Sequence, residues 1–144
     1  MDSTLLFTIF FYVGLIVESM TGAIAAGEHR MDLFGVLVVA SVTAYGGGVI
    51  RDLLLDRHPI LFIGQPELLF VTSVAALLMV LIARYFSRLK WLFISLDALG
   101  MITFTLVGAV RALDMGHGIG VASLAGIITG VFGGILRDLL CNRI

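Results

Sequence analysis

A charged pair set among apolar residues occurs twice in this sequence. Gly46-Gly47-Gly48-Val49-Ile50-Arg51-Asp52-Leu53-Leu54 is followed later by Phe132-Gly133-Gly134-Ile135-Leu136-Arg137-Asp138-Leu139-Leu140. Ionised groups in apolar sequence need a partner or water, and inside a membrane they mark a functional position by default. Asp52 and Asp138 could attract cations, while Arg51 and Arg137 could gate or select by charge. The structural alternative is that each arginine reaches to the interface and holds a helix end. Adjacent residues do not face each other on a helix, so Arg51 and Asp52 are expected to seek different partners, for instance on the other half of the chain. Glycines beside each pair let a helix bend or unwind.

Other residues extend this chemistry. Ser41, Tyr45 and Gly48 follow i, i+4, i+7 spacing and share a helix face. Gly126, Thr129, Gly130, Gly133 and Gly134 form a similar face later in the chain. Such faces either line a water path, with carbonyls freed at glycine bends, or pack helices closely through small residues. Glu18 and Asp97 fall inside apolar runs, where an Asp costs roughly 2.5–3.5 kcal/mol near a helix centre. Neither should face lipid. Each could pair with Arg51 or Arg137, or bind a cation.

No catalytic constellation accompanies these residues. The sequence lacks a phosphate loop with Lys and Ser/Thr, a nucleophile elbow and an HExxH motif. His29, His58 and His117 stand apart without metal-ligand spacing, and His117 and Asp114 read as solvated linker residues. The single cysteine, Cys141, excludes an intramolecular disulfide and a cysteine-based metal cluster. The expectation is a protein that is not an enzyme and has no cofactor or metal, with a monovalent cation as the permeant species.

The elements that carry these residues are membrane spans. The chain is 60% hydrophobic and 13% charged with a mean hydropathy of +1.12, against roughly 25% charged for soluble domains. A net charge of −1 without a basic stripe argues against nucleic acid. Stretches of about 20 apolar residues predict spans over 4–26, 33–55, 68–85, 91–110 and 119–140. The first run has no basic residues before it and is longer than a signal-peptide core, so it reads as a span that stays. Pro66 and Glu67 suit the start of the third span. Arg84, Arg88 and Lys90 form the densest basic loop, which places that loop in the cytoplasm and the N-terminus outside. Tyr85 and Trp91 flank it as interfacial aromatics do.

A shift of 86 residues aligns the chain with itself without gaps. Gly14 falls on Gly100, Gly22 on Gly108, Thr43 on Thr129, Gly47-Gly48 on Gly133-Gly134, and Arg51-Asp52 on Arg137-Asp138. The first repeat covers residues 1–86 and holds an odd number of spans, so the second, over 87–144, runs with inverted topology. The second copy stops at Ile144, where the counterpart of the third span would begin. Matched inverted repeats with bent helices are a transport architecture.

The doubled Gly-Gly-x-x-Arg-Asp element on three-span repeats resembles the bacterial homologues of the TRIC (trimeric intracellular cation) channels, also known as the bacterial glycine transporter domain family. The resemblance implies an all-α polytopic inner-membrane protein of seven spans, assembled as a homotrimer in the lipid bilayer, each subunit with its own pore. It implies that the second and fifth spans are kinked at their glycines and line that pore, through Gly46, Gly47, Gly48, Arg51 and Asp52 and through Gly133, Gly134, Arg137 and Asp138. The reading from residues and resemblance together is a channel conducting monovalent cations such as K⁺. A secondary transporter of glycine or another small amino acid is the first alternative, with Arg holding the carboxylate and Asp the amine. A non-transporting assembly subunit is the second, and it predicts tight, dry packing of the glycine faces.

Overall fold

The structure, a computed structural model, describes residues 3–83, 85 and 89–142. Arg84 and Arg88, used above for orientation, lie outside the described residues. The described residues form helices only: α1 (Ser3–Glu28), α2 (Leu33–Leu54), α3 (Leu61–Gly64), α4 (Leu68–Ala83), α5 (Leu89–Asp114) and α6 (Ile119–Leu140).

Of the expected spans, α1, α2, α5 and α6 are long and apolar enough to cross a membrane. The third is not. α4 has 16 residues, about 24 Å at 1.5 Å per residue, against a hydrocarbon core of about 30 Å. The chain enters it through a turn at Pro66 and Glu67, whose carbonyls accept from the Leu69 and Phe70 N–H groups, both at 3.1 Å. The short α3 was not expected; it folds the connection between α2 and α4 back against the end of α2. α5 runs past Val110, so Arg111 and Asp114 lie in its last turn rather than in a linker. Gly116 then turns the chain with φ +85°, a conformation that a side chain would strain.

The ends of the helices follow their sequences. Asp32 caps α2 by accepting from the Gly35 N–H at 2.8 Å. α2 and α6 end alike. The Leu55 N–H donates to the Arg51 carbonyl and the Cys141 N–H to the Arg137 carbonyl, each at 2.9 Å. Asp56 and Asn142 then take positive φ of 52° and 53°. These pairs are 86 residues apart.

α1, α2, α6 and α5 close a ring in which each packs on the next, and α4 lies outside it against α1 and α2. Glycines set how closely they approach, because in lipid small residues let backbones meet. A methyl group built on Gly22 would strike Ala40 and Thr43 of α2, and one on Gly108 would strike Thr129 and Ala125 of α6. On the α1–α5 seam, Gly14 lies under Phe104 and Gly100 under Glu18. On the α2–α6 seam, Gly47 meets the Thr129 carbonyl and Gly133 the Thr43 carbonyl. Each contact has a counterpart 86 residues along the chain.

Candidate functional site

The first Arg-Asp pair sits at the end of α2, fully inside the protein. Arg51 is 3% exposed and Asp52 0%. Arg51 curls back onto Asp52: its Nε and Nη2 donate to Oδ1 at 3.0 and 2.6 Å. The expectation of separate partners is therefore corrected. The i, i+1 rule describes directions at Cβ, and a long arginine can bend over its neighbour where no water competes for its head. Asp52 also accepts from Arg57 Nη1, at 3.4 Å to Oδ2, and from the Leu61 N–H at 3.1 Å. The α2–α3 connection thus wraps this carboxylate, and such charge-assisted bonds are the strong ones.

The second pair repeats the motif. Arg137 is buried on α6 and its Nε donates to Asp138 Oδ1 at 2.8 Å. Its Nη1 makes a short ion pair with Asp97 of α5, and its head lies over the Phe93 ring, 4.7 Å from the centroid. Asp97 thus finds Arg137, one of the partners expected for it. Glu18 finds neither Arg51 nor Arg137 within ion-pair distance. Its carboxylate lies in the notch at Gly100, beside a cavity of about 170 Å³ bounded also by Asp97, Gly130, Gly134, Arg137 and Asp138. Among the described residues, a single long hydrogen bond reaches it, from Thr21 Oγ1 to Oε2 at 3.4 Å.

The structure divides the remaining candidates. Gly47, Gly133 and Thr129 form the α2–α6 contact, and Gly46 packs on the Leu136 side chain. Gly130, like Gly126, receives Thr105 of α5. Close packing is therefore what these positions do here. Gly48 and Gly134 differ: their nearest neighbours include the heads of Arg51 and Arg137. α2 and α6 run as continuous α-helix through their glycines, so no carbonyl is freed there. Tyr45 does not line an open face; it is buried, with its hydroxyl 3.4 Å from Thr72 Oγ1 of α4. Ser41 is half-buried.

An apolar cluster separates the two charged ends. Phe11, Leu15, Tyr45, Leu61, Leu68, Phe104 and Val107 fill it. Phe11, Leu15 and Glu18 occupy successive turns on one face of α1, so the face changes from aromatic to acidic within two turns. The hydroxyls of Thr43, Thr103 and Thr129 are buried and donate to carbonyls of their own helices, which satisfies them without water.

Sequence reading missed Arg111. The expected span ends at 110, just before it, yet its head lies 4.7 Å from the Phe7 ring centroid. It borders a cavity of about 480 Å³ with Thr4, Tyr12, Gln65 and Asp114. The i, i+3, i+4 series Val107, Val110, Arg111, Asp114 was the available signal for a longer helix.

The family model described as "Glycine transporter" matches residues 8–84 and 94–144. The chain belongs to the Glycine transporter family. Members similar to it include the UPF0126 inner membrane protein YadS of Escherichia coli, 43% identical over 133 residues, and a UPF0126 membrane protein of Vibrio cholerae, 39% identical over 145. The matches cover 92% and 100% of this chain but only 64% and 60% of those relatives. The chain therefore spans under two thirds of their length. Among solved structures, the TRIC trimeric intracellular cation channel orthologue from Rhodobacter sphaeroides superposes with a TM-score of 0.93 at 34% identity. The match covers 96% of this chain and 72% of that one. A prokaryotic TRIC channel in 0.5 M KCl gives 0.92 at 26% identity, over 98% and 73%. This Glycine transporter family chain is thus a bacterial TRIC-type, all-helical, multi-pass membrane protein.

Proposed function

We propose that the protein is an inner-membrane channel for monovalent cations such as K⁺, with a path inside each subunit of a homotrimer. The observation that carries this reading is the backbone match of nearly all of this chain to about 70% of solved cation channels. The charges add support. Acidic side chains gather at one end of the α1–α2–α6–α5 ring, as cation pathways require.

The path, in this reading, runs through the interior of the ring. It passes beside Glu18 and Arg137 and is closed towards Arg51 by Phe11, Leu15 and Phe104. Apolar constrictions of this kind gate by excluding water. The contacts of Gly47 with Thr129 and of Gly133 with Thr43 hold α2 and α6 together beside the path. The repeats, residues 1–86 and 87–144, are read as inverted halves about a local two-fold axis, because their contacts occur in pairs 86 residues apart. In this reading the N-terminus lies outside, on the sequence charges of Arg84, Arg88 and Lys90.

The family description favours a second reading, a carrier for glycine. The geometry of the two motif arginines weighs against a glycine site at the Arg-Asp pairs. A zwitterion's carboxylate needs an available guanidinium, but Arg51 is taken by Asp52, and Arg137 by Asp97 and Asp138.

Flux from liposomes separates the readings. Full-length protein should release K⁺ down its gradient at a rate that rises with gradient and is unchanged by glycine. Saturable glycine uptake without K⁺ release would replace the channel reading with the carrier.

A further inference from the structure

We propose that the Glu18 carboxylate is a cation-binding subsite, the point at which the pathway selects positive charge. The inference deepens the channel reading and rests on it.

Consider the acids well inside the spans. Asp52 is held by Arg51, Arg57 and a backbone N–H; Asp97 and Asp138 are held by Arg137. Glu18 is buried to 3% exposure, yet among the described residues no basic group lies within ion-pair distance of it. Among the described residues, the hydrogen bond its carboxylate accepts is the long one from Thr21 Oγ1 to Oε2. An ionised carboxylate left this way in a low-dielectric interior is costly unless a cation comes to it.

The surroundings supply room for one. The side chain borders the cavity of about 170 Å³, ample for a monovalent cation with part of its water, since a water occupies about 30 Å³. Gly100 makes the position possible, because a methyl group there would occupy the place of the carboxylate. The neighbouring charges are Asp97, Asp138 and Arg137, so with all groups ionised the chamber carries an excess of negative charge that Arg137 cannot cancel alone. Oxygen donors suit hard cations. Among the described residues no acids cluster closely enough to chelate a metal, so the ion keeps water ligands and exchanges quickly, as conduction needs. The repeat sharpens the assignment. At the positions 86 residues away stand Phe104 for Glu18 and Phe11 for Asp97, so the acidic chamber exists at one end of the ring only.

The test reads occupancy and selection separately. Full-length protein in liposomes is treated with a hydrophobic carbodiimide in KCl or in choline chloride of equal ionic strength, and the Glu18 adduct is measured by mass spectrometry. K⁺ should lower the adduct yield several-fold. Equal labelling in both salts would overturn the proposal. In bilayers under a KCl gradient, Glu18→Gln should keep its openings while the reversal potential moves from the K⁺ value towards zero. Asp114→Asn, outside the chamber, should not shift it. A Glu18→Gln channel with unchanged reversal potential and conductance would overturn the selecting role. Silent wild-type bilayers with K⁺-protected Glu18 would sink the channel reading and leave the cation subsite standing.

Discussion

At the scale of single residues, the two Arg-Asp pairs share a motif and differ in their surroundings. Asp52 is sealed by donors from Arg51, Arg57 and the Leu61 backbone. Removing one partner of a buried ion pair costs about 3–5 kcal/mol because the other charge is left uncompensated. Arg51→Ala should therefore destabilise the protein by about that amount in equilibrium unfolding in detergent. Arg57 is 30% exposed and its bonds are long, so Arg57→Ala should cost about 1 kcal/mol or less. Equal losses for both variants would contradict the account. That these residues matter was legible in the sequence, since apolar surroundings single out charges. Whom they bind was not legible. Side-chain spacing on a helix says where Cβ points, and a guanidinium several bonds further out can return to its neighbour. Arg111 was lost for a related reason: its charge suggested the end of a span, although its head rests over an aromatic ring on α1.

At the scale of helices, glycine had two competing explanations in advance, flexibility and closeness. The repeat already paired Gly14 with Gly100, Gly22 with Gly108 and Gly47 with Gly133. Which explanation holds depends on what stands opposite, and a single sequence does not record that. For Gly47 and Gly133 it is the backbone carbonyl of a threonine on the facing helix. Backbone cannot move aside as a flexible side chain can. Gly47→Ala or Gly133→Ala should each cost about 1–3 kcal/mol through overpacking. Gly27→Ala, where an added methyl meets nothing, should be neutral or gain up to about 1 kcal/mol from helix propensity. Thermal unfolding of the three variants ranks them directly, and a Gly47→Ala protein as stable as Gly27→Ala would show that α2 and α6 are not packed at this point. The expected third span, 68–85, begins where α4 begins, at Leu68.

At the scale of the whole molecule, the all-helical membrane fold followed from composition and from runs of apolar residues. The closure of α1, α2, α6 and α5 into one ring did not, because it needs the seams between repeats as well as within them. That ring leaves large apolar side chains outward on α5 and α6, including Ile102, Leu106, Ile119, Leu124 and Ile127, available to lipid or to neighbouring subunits. The homotrimer proposed here predicts that detergent-solubilised full-length protein has three times its chain mass by light scattering; a monomer's mass would contradict it. The central claim concerns ions, and single-channel recording tests it most directly. Full-length protein in planar bilayers under a KCl gradient should give discrete current steps that reverse near the K⁺ equilibrium potential. Bilayers that stay silent after verified insertion would contradict the claim.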